Sequence, residues 1–383
     1  MRYRDWGQVR RVLAVRLDGV GDVVTLGPAL RALKAALPRA EVTLLSSPEG
    51  SQAVPLLPWV DDLLAHRALW QDPPPDGEID VGAQVDLIEL IEGRRFDAAL
   101  IFTRAGHSPH PAAYVCYLAG IRIRVGQSTE AAGGVLTHLV RPMGDRAHQV
   151  DRDLYLLEAS GFPVAGRQLE LRVPAPARTS AANLLDRGGL PPDEPFVVLA
   201  PGAGAASRRY PADRYAEVCG LLGERTQLPV VLVGTPREVA LAARIARAAP
   251  HARVVSITGQ TSVPELAAVI ERAALLVGNH ASPMQLADAL RRPQVVLYAG
   301  TEPEACARPR GSPARLLRAP TRCSPCRLQT CTVGLACLDV TPQAVVDEAL
   351  TLLEAAAGGE APATGGTPTA ALPDHRPPAG RTA

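Results

Sequence analysis

The sequence lacks an excess of charge of either sign, and it lacks a long apolar run. Its 40 Lys+Arg and 39 Asp+Glu leave a formal charge of +1, so no overall field would draw the chain to nucleic acid or anionic lipid. No stretch approaches the roughly 18 apolar residues of a membrane span. The apolar run near the start is broken by Arg16 and lacks the central region of a signal peptide. These absences predict a cytoplasmic protein that does not bind nucleic acid.

Lysine is also nearly absent, because every basic residue except Lys34 is arginine. We attribute this bias first to coding composition, since alanine, glycine and proline are abundant as well. An arginine is therefore weaker evidence for a phosphate site here than in an average protein. The length of 383 residues, of which 47% are hydrophobic and 21% charged, predicts a globular chain of two domains.

Strands and helices alternate in two series, separated by a stretch over residues 171–195 in which the pattern allows only a short helical piece. This alternation predicts an α/β protein with two Rossmann-like units in tandem, each a doubly wound parallel sheet covered by helices on both faces. The expected divisions are a first unit over 1–175, a second unit over 176–340, a C-terminal helix over 341–357 that packs back across the domain junction, and a disordered tail over 358–383.

A carboxylate, Asp22, lies where the first predicted strand meets the first helix, beside Gly19 and Gly21. Ligands of open α/β sheets bind at the carboxyl ends of strands. A dinucleotide fingerprint would need a third glycine where Val24 stands and an acidic residue where the second strand ends in serine. Those departures disfavour an NAD-dependent dehydrogenase. From the residues alone, Asp22 is either a helix-capping acid or a catalytic base.

The second unit contains a loop with the composition of an anion site, residues 201–211 (PGAGAASRRYP), between a strand and a helix. Small residues such as Gly202 and Gly204 let backbone N–H groups approach an anion, and Arg208 and Arg209 can neutralise phosphate. No Gly-Lys-Ser/Thr follows, so the loop is not a P-loop. The alternative is an ordinary loop with two solvated arginines.

A second such loop, residues 278–283 (GNHASP), ends another predicted strand. Pro283 suits the first position of the helix that follows, and the free N–H groups of that helix form a second anion site. Two anion sites at neighbouring strand ends suit a diphosphate. His280 is then either a phosphate or sugar contact or a structural loop histidine.

Four segments carry a family resemblance: RLDGVGDVVTLGPALRALKAALPRAEVTLL, HQVDRDLYLLEASGFP, APGAGAASRRYP and VGNHASPMQLADALRRPQVVLYAGTEP. In this order, covering most of residues 11–355, they resemble the ADP-heptose:lipopolysaccharide heptosyltransferases, glycosyltransferase family 9. The resemblance implies the GT-B fold, two Rossmann-like domains facing across a cleft. It also implies inverting, metal-independent sugar transfer, without a cofactor, from a nucleotide-diphosphate donor to a cell-envelope glycan or lipopolysaccharide-type acceptor. Peripheral contact with the cytoplasmic face of the inner membrane fits such an acceptor.

The resemblance also implies roles for individual residues. Asp22 matches the general base that takes the proton of the acceptor hydroxyl, and Arg208 stands where the family usually has a lysine that offsets charge on the departing diphosphate. Glu238 is a candidate ribose contact. The residues implied in donor binding are Gly19, Gly21, Gly202, Gly204, Arg209, Glu238, Asn279, His280, Ala281, Ser282 and Pro283.

The largest departure from the family lies at residues 279–285, which read NHASPMQ where the usual run is Asn-Asp-Ser-Gly-Pro-Met-His. His280 thus replaces an acidic residue that contacts the donor, which leaves the donor open between ADP-heptose and another nucleotide sugar. It also keeps a second class of function open, a non-catalytic sugar-nucleotide-binding or scaffold protein of the same fold. The retained Asp22 favours the enzyme.

Four of the seven cysteines are concentrated before the last helix, at Cys323, Cys326, Cys331 and Cys337. Four thiolates can bind zinc tetrahedrally, but the run contains only one Cys-x-x-Cys pair. A structural zinc site and a set of reduced thiols or a labile disulfide both remain open.

Overall fold

Two parallel sheets of six strands each form the framework of the protein, whose computed structural model describes residues 6–71, 80–131, 133–144 and 146–358. The strands of the first sheet are β1 (Arg11–Arg16), β2 (Glu41–Ser46), β3 (Asp62–Ala65), β4 (Ala98–Ile101), β5 (Ile123–Gln127) and β6 (His138–Val140). Those of the second sheet are β7 (Val197–Ala200), β8 (Val230–Leu232), β9 (Val254–Ser256), β10 (Leu275–Asn279), β11 (Gln294–Leu297) and β12 (Ala314–Leu317).

Helices connect and cover these strands. They are α1 (Val20–Thr25), α2 (Gly27–Ala36), α3 (Val81–Arg94), α4 (His110–Leu118), α5 (Gln149–Ala159), α6 (Ala175–Arg187), α7 (Ala212–Thr226), α8 (Val239–Ala248), α9 (Val263–Arg272), α10 (Ser282–Ala289) and α11 (Pro342–Ala357). In the described part of the chain, no helix combines the length and apolar character needed to cross a membrane.

The strand orders are β3-β2-β1-β4-β5-β6 in the first sheet and β12-β11-β10-β7-β8-β9 in the second. When the strands of each sheet are numbered 1 to 6 along the chain, both orders are 3-2-1-4-5-6, the second being read from its other edge. In each, the chain therefore reverses its direction of winding between two adjacent central strands, β1 with β4 and β7 with β10. The central strands are buried along almost their whole length, as expected for parallel strands covered on both faces. Crevices at such reversal points are where open α/β sheets bind ligands.

The predicted fold class, two doubly wound Rossmann-like units of the GT-B type, is confirmed. Three elements were not predicted: the edge strands β3 and β12 and the helix α3. In addition, the short helical piece expected between the two series is the 13-residue helix α6. Most of the predicted tail, 359–383, lies outside the described residues.

The C-terminal helix α11 packs within the second unit. Thr341 caps it by accepting the N–H of Ala344 at 3.3 Å, and its buried residues, among them Val345 and Leu352, belong to the core that contains α7 and strands β7, β8, β10 and β11. This placement corrects the expectation that the helix packs back across the domain junction. Its apolar face is covered by α7 and the sheet of its own unit.

A polar contact joins the two units on the side of α5. Asp151 accepts two hydrogen bonds from the guanidinium of Arg310, at 2.9 and 2.7 Å. His148, the N-cap of α5, accepts the N–H of Val150 at Nδ1 (3.2 Å), so Nε2 carries the proton and donates to the carbonyl of Arg308 at 3.0 Å. Burial and the charge of Arg310 lower the pKa of His148 to about 4.

This histidine predicts a loss of stability in acid. Its pKa lies near 6.5 in an unfolded chain and about 4 in the fold, so the unfolded state binds more protons between these values and stability falls as pH decreases through that window. We expect His148 to account for about 3 kcal/mol of unfolding free energy lost between pH 7 and pH 4. Denaturant titrations of wild type and His148→Asn, which keeps an N-cap side chain, isolate this share. Parallel pH profiles for the two proteins would contradict the assignment.

Candidate active site

The carboxyl ends of the central strands in both sheets open on one cleft between the two units. Asp22 follows β1 and Arg104 follows β4 in the first unit, while Glu302 follows β11 in the second. Two contacts bring these edges together. The backbone N–H of Gly21 donates to Oγ of Ser282 at 3.2 Å, and the guanidinium of Arg104 lies 3.5 Å from the Glu302 carboxylate.

Asp22 lies in the first turn of α1, where the helix dipole favours negative charge. The N-cap of this helix is Gly19, and the Asp22 carboxylate instead contacts two arginines. Its Oδ1 is 3.2 Å from Arg16 and 3.6 Å from Arg104. The side chain remains 26% exposed, so an acceptor hydroxyl entering the cleft can reach it.

Beneath Asp22, Arg16 is fully buried among three carboxylates. Its guanidinium is 2.9 Å from Asp18, 3.2 Å from Asp22 and 3.2 Å from Asp153. Burial raises the pKa of the Asp18 carboxyl, and it raises that of Asp153 to about 7 despite the adjacent Arg16. A buried charge is retained only when it is paired, so Arg16 and its carboxylates hold one another in place. The cluster thereby fixes the position of Asp22, its one member that reaches the cleft. In the sequence, Arg16 is visible only as an interruption of the apolar run.

Asn279 organises the loop over residues 201–211, which is predicted to bind phosphate and is called the phosphate loop from here on. Its side-chain Oδ1 accepts hydrogen bonds from the backbone N–H of Tyr210 (3.1 Å) and the hydroxyl of Tyr215 (2.9 Å), and its Nδ2 donates to the carbonyl of Pro201 at 2.7 Å. The side chain is 2% exposed. The sequence predicts that Asn279 contacts the donor. In this structure its side chain instead holds the phosphate loop in place.

The two arginines of the phosphate loop point to different surroundings. Arg208 is directed into the cleft, where its Nη2 is 3.0 Å from Glu302, and its buried Nε has no hydrogen-bond acceptor among the described residues. Arg209 is exposed, and its Nε donates to the carbonyl of Ala203 at 3.0 Å. A Cβ atom at Gly204 would meet open space. Arg208 is thus the loop cation available to an anion in the cleft.

Glu238 lies against the phosphate loop. Its carboxylate accepts from the backbone N–H of Thr235 at 2.7 Å, as part of a capping box, and it covers Gly202 so closely that a Cβ atom there would overlap it. The absence of a side chain at Gly202 is therefore required by Glu238. The predicted ribose contact and the predicted phosphate loop are neighbours in the fold.

The glycines beside Asp22 have different neighbours. A Cβ atom at Gly21 would lie 3.0 Å from the Gln285 side chain, whereas one at Gly19 would make ordinary contact with Glu49 at 3.5 Å. Gly21 thus permits close approach of the first turn of α10, the helix that begins at Ser282 with Ala281 as its N-cap and Pro283 in its first turn. The small residues at this point bring the two units together.

His280 is buried at the base of the cleft. Its ring stacks on Tyr298 with centroids 4.1 Å apart, and its Nδ1 lies 3.5 Å from Glu302. Burial and the charges of Arg208 and Arg104 lower the pKa of His280 to about 3, so the imidazole is neutral at physiological pH. The residue that departs from the family pattern therefore adds no charge to the cleft.

Two residues of the cleft, Arg104 and Glu302, were absent from the predicted site. Together they complete an ionic path from Asp22 to Arg104 (3.6 Å), on to Glu302 (3.5 Å) and then to Arg208 (3.0 Å). Their positions after β4 and β11 are the sequence signal that could have found them, since polar residues at strand ends share one edge of the sheet. The path links the predicted base to the predicted phosphate-binding cation.

The cysteine-rich loop, residues 323–337, packs against two segments that line this cleft. The N–H groups of Cys326 and Arg327 donate to the carbonyls of Gly300 and Thr301, at 3.1 and 2.9 Å. On its other side, Ser207 of the phosphate loop donates its N–H to the carbonyl of Gln329 at 3.0 Å. The loop therefore supports both the phosphate loop and the segment that carries Glu302.

The four thiols of that loop are free. Sγ of Cys331 accepts the N–H groups of Val333 and Leu335 at 3.4 and 3.3 Å. Across the described ranges, no three His, Cys, Asp or Glu side chains are grouped as a metal-binding set, so the thiols as placed do not fit a zinc ion. Zinc at this loop stays a prediction from the spacing alone.

Residues 86–336 match the model of the family described as glycosyltransferase family 9 (heptosyltransferase). Among individual proteins, the chain is similar to lipopolysaccharide heptosyltransferase 2 of Escherichia coli K12. The two are 25% identical over 359 residues, which cover 90% of this chain and 98% of that one.

Solved structures share the fold. A glycosyl transferase family 9 protein from Veillonella parvula superimposes with a TM-score of 0.76 at 20% identity, covering 90% of this chain and 97% of the other. The E. coli heptosyltransferase WaaC, solved with ADP-2-deoxy-2-fluoro heptose, gives a TM-score of 0.66 at 20% identity, covering 89% and 99%.

Proposed function

Because the chain belongs to glycosyltransferase family 9, we propose that it transfers a sugar, heptose or another, from a nucleotide-diphosphate donor to a cell-envelope glycan by a single inverting displacement. The observation that carries this proposal is the pairing of Asp22 from the first unit with Arg208 from the second, on one cleft and joined by one ionic path. A base on one side and a phosphate-binding cation on the other are what such a transfer requires.

In the proposed reaction, Asp22 accepts the proton of an acceptor hydroxyl as the hydroxyl oxygen bonds to the anomeric carbon of the donor. The bond from that carbon to the diphosphate oxygen breaks at the same time, and the electron pair leaves with the nucleoside diphosphate. Attack opposite the leaving group inverts the anomeric centre. Arg16 holds the carboxylate for this step, 3.2 Å from Oδ1, from a position that substrate does not reach.

Arg208 stabilises the negative charge that develops on the departing diphosphate. The Arg208 side chain is 23% exposed, so its guanidinium can donate to that diphosphate, and the N–H groups of the phosphate loop add further donors. Arginine presents its donors as a planar fork that matches phosphate geometry. The Asn279 hydrogen bonds support this role by fixing the loop before the donor arrives.

These cations supply the charge that a divalent ion provides in other phosphate-transfer sites, so we propose a reaction without metal or cofactor. Dialysis against EDTA is expected to leave the initial rate of sugar transfer unchanged, measured as release of the nucleoside diphosphate. A rate that falls and is restored by Mg²⁺ would contradict this prediction. Elemental analysis of the purified protein before dialysis tests separately for zinc at the cysteine-rich loop.

The donor and acceptor are proposed from the relatives. The WaaC structure was solved with an ADP-linked heptose analogue, and heptosyltransferase 2 is described as acting on lipopolysaccharide. We therefore propose ADP-heptose as the first donor to test, with an acceptor of the lipopolysaccharide type presented at the cytoplasmic face of the inner membrane. The neutral His280 in place of an acid is the reason to test other sugars as well.

A panel of ADP-, GDP-, UDP- and dTDP-linked sugars tests the proposed function. Saturable binding of one donor by calorimetry, followed by its consumption when a core-glycan acceptor is added, is the expected result. Binding without transfer to any acceptor of this type would instead favour the second candidate, a non-catalytic sugar-nucleotide-binding protein. Failure of every nucleotide sugar to bind would contradict both.

A further inference from the structure

A carboxylate occupies the space between the two arginines of the cleft. Glu302 lies 3.0 Å from Arg208 of the second unit and 3.5 Å from Arg104 of the first. Its side chain is 20% exposed, and those of Arg208 and Arg104 are 23% and 33% exposed. All three therefore line the open cleft, where a ligand can reach them.

A diphosphate bound by Arg208 would bring further negative charge next to Glu302. Two negative charges that bind the same guanidinium lie close together, and they repel strongly where they are shielded from bulk water. The neighbouring imidazole of His280, 3.5 Å away, does not offset this repulsion because it is neutral. Glu302 and the diphosphate therefore compete for the same guanidinium.

We propose that Glu302 is a positioning residue that acts as a resident anion. Before the donor binds, it holds Arg208 and Arg104 in place across the cleft. The donor diphosphate then displaces Glu302 from Arg208. Glu302 binds Arg208 again when the nucleoside diphosphate leaves, which speeds product release. This inference rests on the proposed function, because it assigns a partner to the same phosphate site.

Removing the charge of Glu302 is expected to strengthen binding of the leaving group. We expect Glu302→Gln to bind ADP and inorganic pyrophosphate about tenfold more tightly than wild type, as measured by titration calorimetry, because the competing anion is gone while the side-chain shape is kept. Glu302→Ala removes the same charge with a smaller side chain and must shift both affinities in the same direction. A merely structural residue would weaken binding or leave it unchanged.

Glu304→Gln is the matched control. Glu304 lies two residues away and pairs with Arg318 at 2.8 Å, so its neutralisation should leave both affinities within a factor of two of wild type. If wild type binds ADP but the two Glu302 variants bind it equally or more weakly, the inference is overturned and the proposed function stands. If wild type binds neither ADP nor pyrophosphate, the proposed phosphate site itself is wrong, and the inference fails with it.

Discussion

Asp22→Asn is expected to lower the kcat of sugar transfer by roughly 10²- to 10⁴-fold, the usual contribution of a general base, while the protein remains folded. The amide has nearly the shape of the carboxylate but cannot accept the proton of the acceptor. The fold tolerates the change because Arg16 keeps two other carboxylates, Asp18 at 2.9 Å and Asp153 at 3.2 Å. Initial rates and thermal unfolding of the purified variant measure the two effects separately.

Asp18→Asn provides the control for this experiment. Asp18 belongs to the same cluster around Arg16, but its side chain is only 6% exposed and is shielded from an acceptor. We therefore expect a lower melting temperature with a loss of kcat below tenfold. An Asp22→Asn enzyme within tenfold of wild type, or an equal loss of kcat in both variants, would remove Asp22 from the proton transfer.

Arg208→Gln should produce the second large effect, a fall of roughly 10²- to 10³-fold in kcat, as when one preorganised donor to a developing oxyanion is lost. The glutamine cannot balance the charge of the leaving diphosphate, and it also ends the contact with Glu302 at 3.0 Å. Arg208→Lys is the matched variant, because it keeps the charge while losing the planar fork. The Lys variant should keep most of the kcat that the Gln variant loses. Equal losses of kcat in the two variants would show that the charge of Arg208 does not stabilise the leaving diphosphate.

The sequence was sufficient to predict the features that depend on local pattern. The buried strands β1, β7 and β10 are continuous apolar runs, and the turn that carries Asp22 follows the first of them. The edge strands β3 and β12 were missed because neither presents such a run: β3 begins with Asp62 and is largely half-exposed, and Arg315 interrupts β12. Local pattern thus identified the central strands and the loops at their ends.

Features that depend on chain segments meeting over long distances were not predictable. Asp153 reaches Arg16 from a helix 137 positions along the chain, and no local pattern indicates that pairing. Arg104 and Glu302 meet only because the two units face each other across the cleft. Asn279 was expected to contact the donor, and only its hydrogen bonds to Tyr210 and Pro201 indicate that it supports the phosphate loop.

The anomeric configuration of the transferred sugar tests the central claim most directly. Nuclear magnetic resonance of the product, compared with that of the donor, reports whether the anomeric centre inverts. If Asp22 deprotonates the acceptor for a single displacement in this cleft, the product has the opposite configuration to the donor. A product that retains the donor configuration would contradict the proposed mechanism.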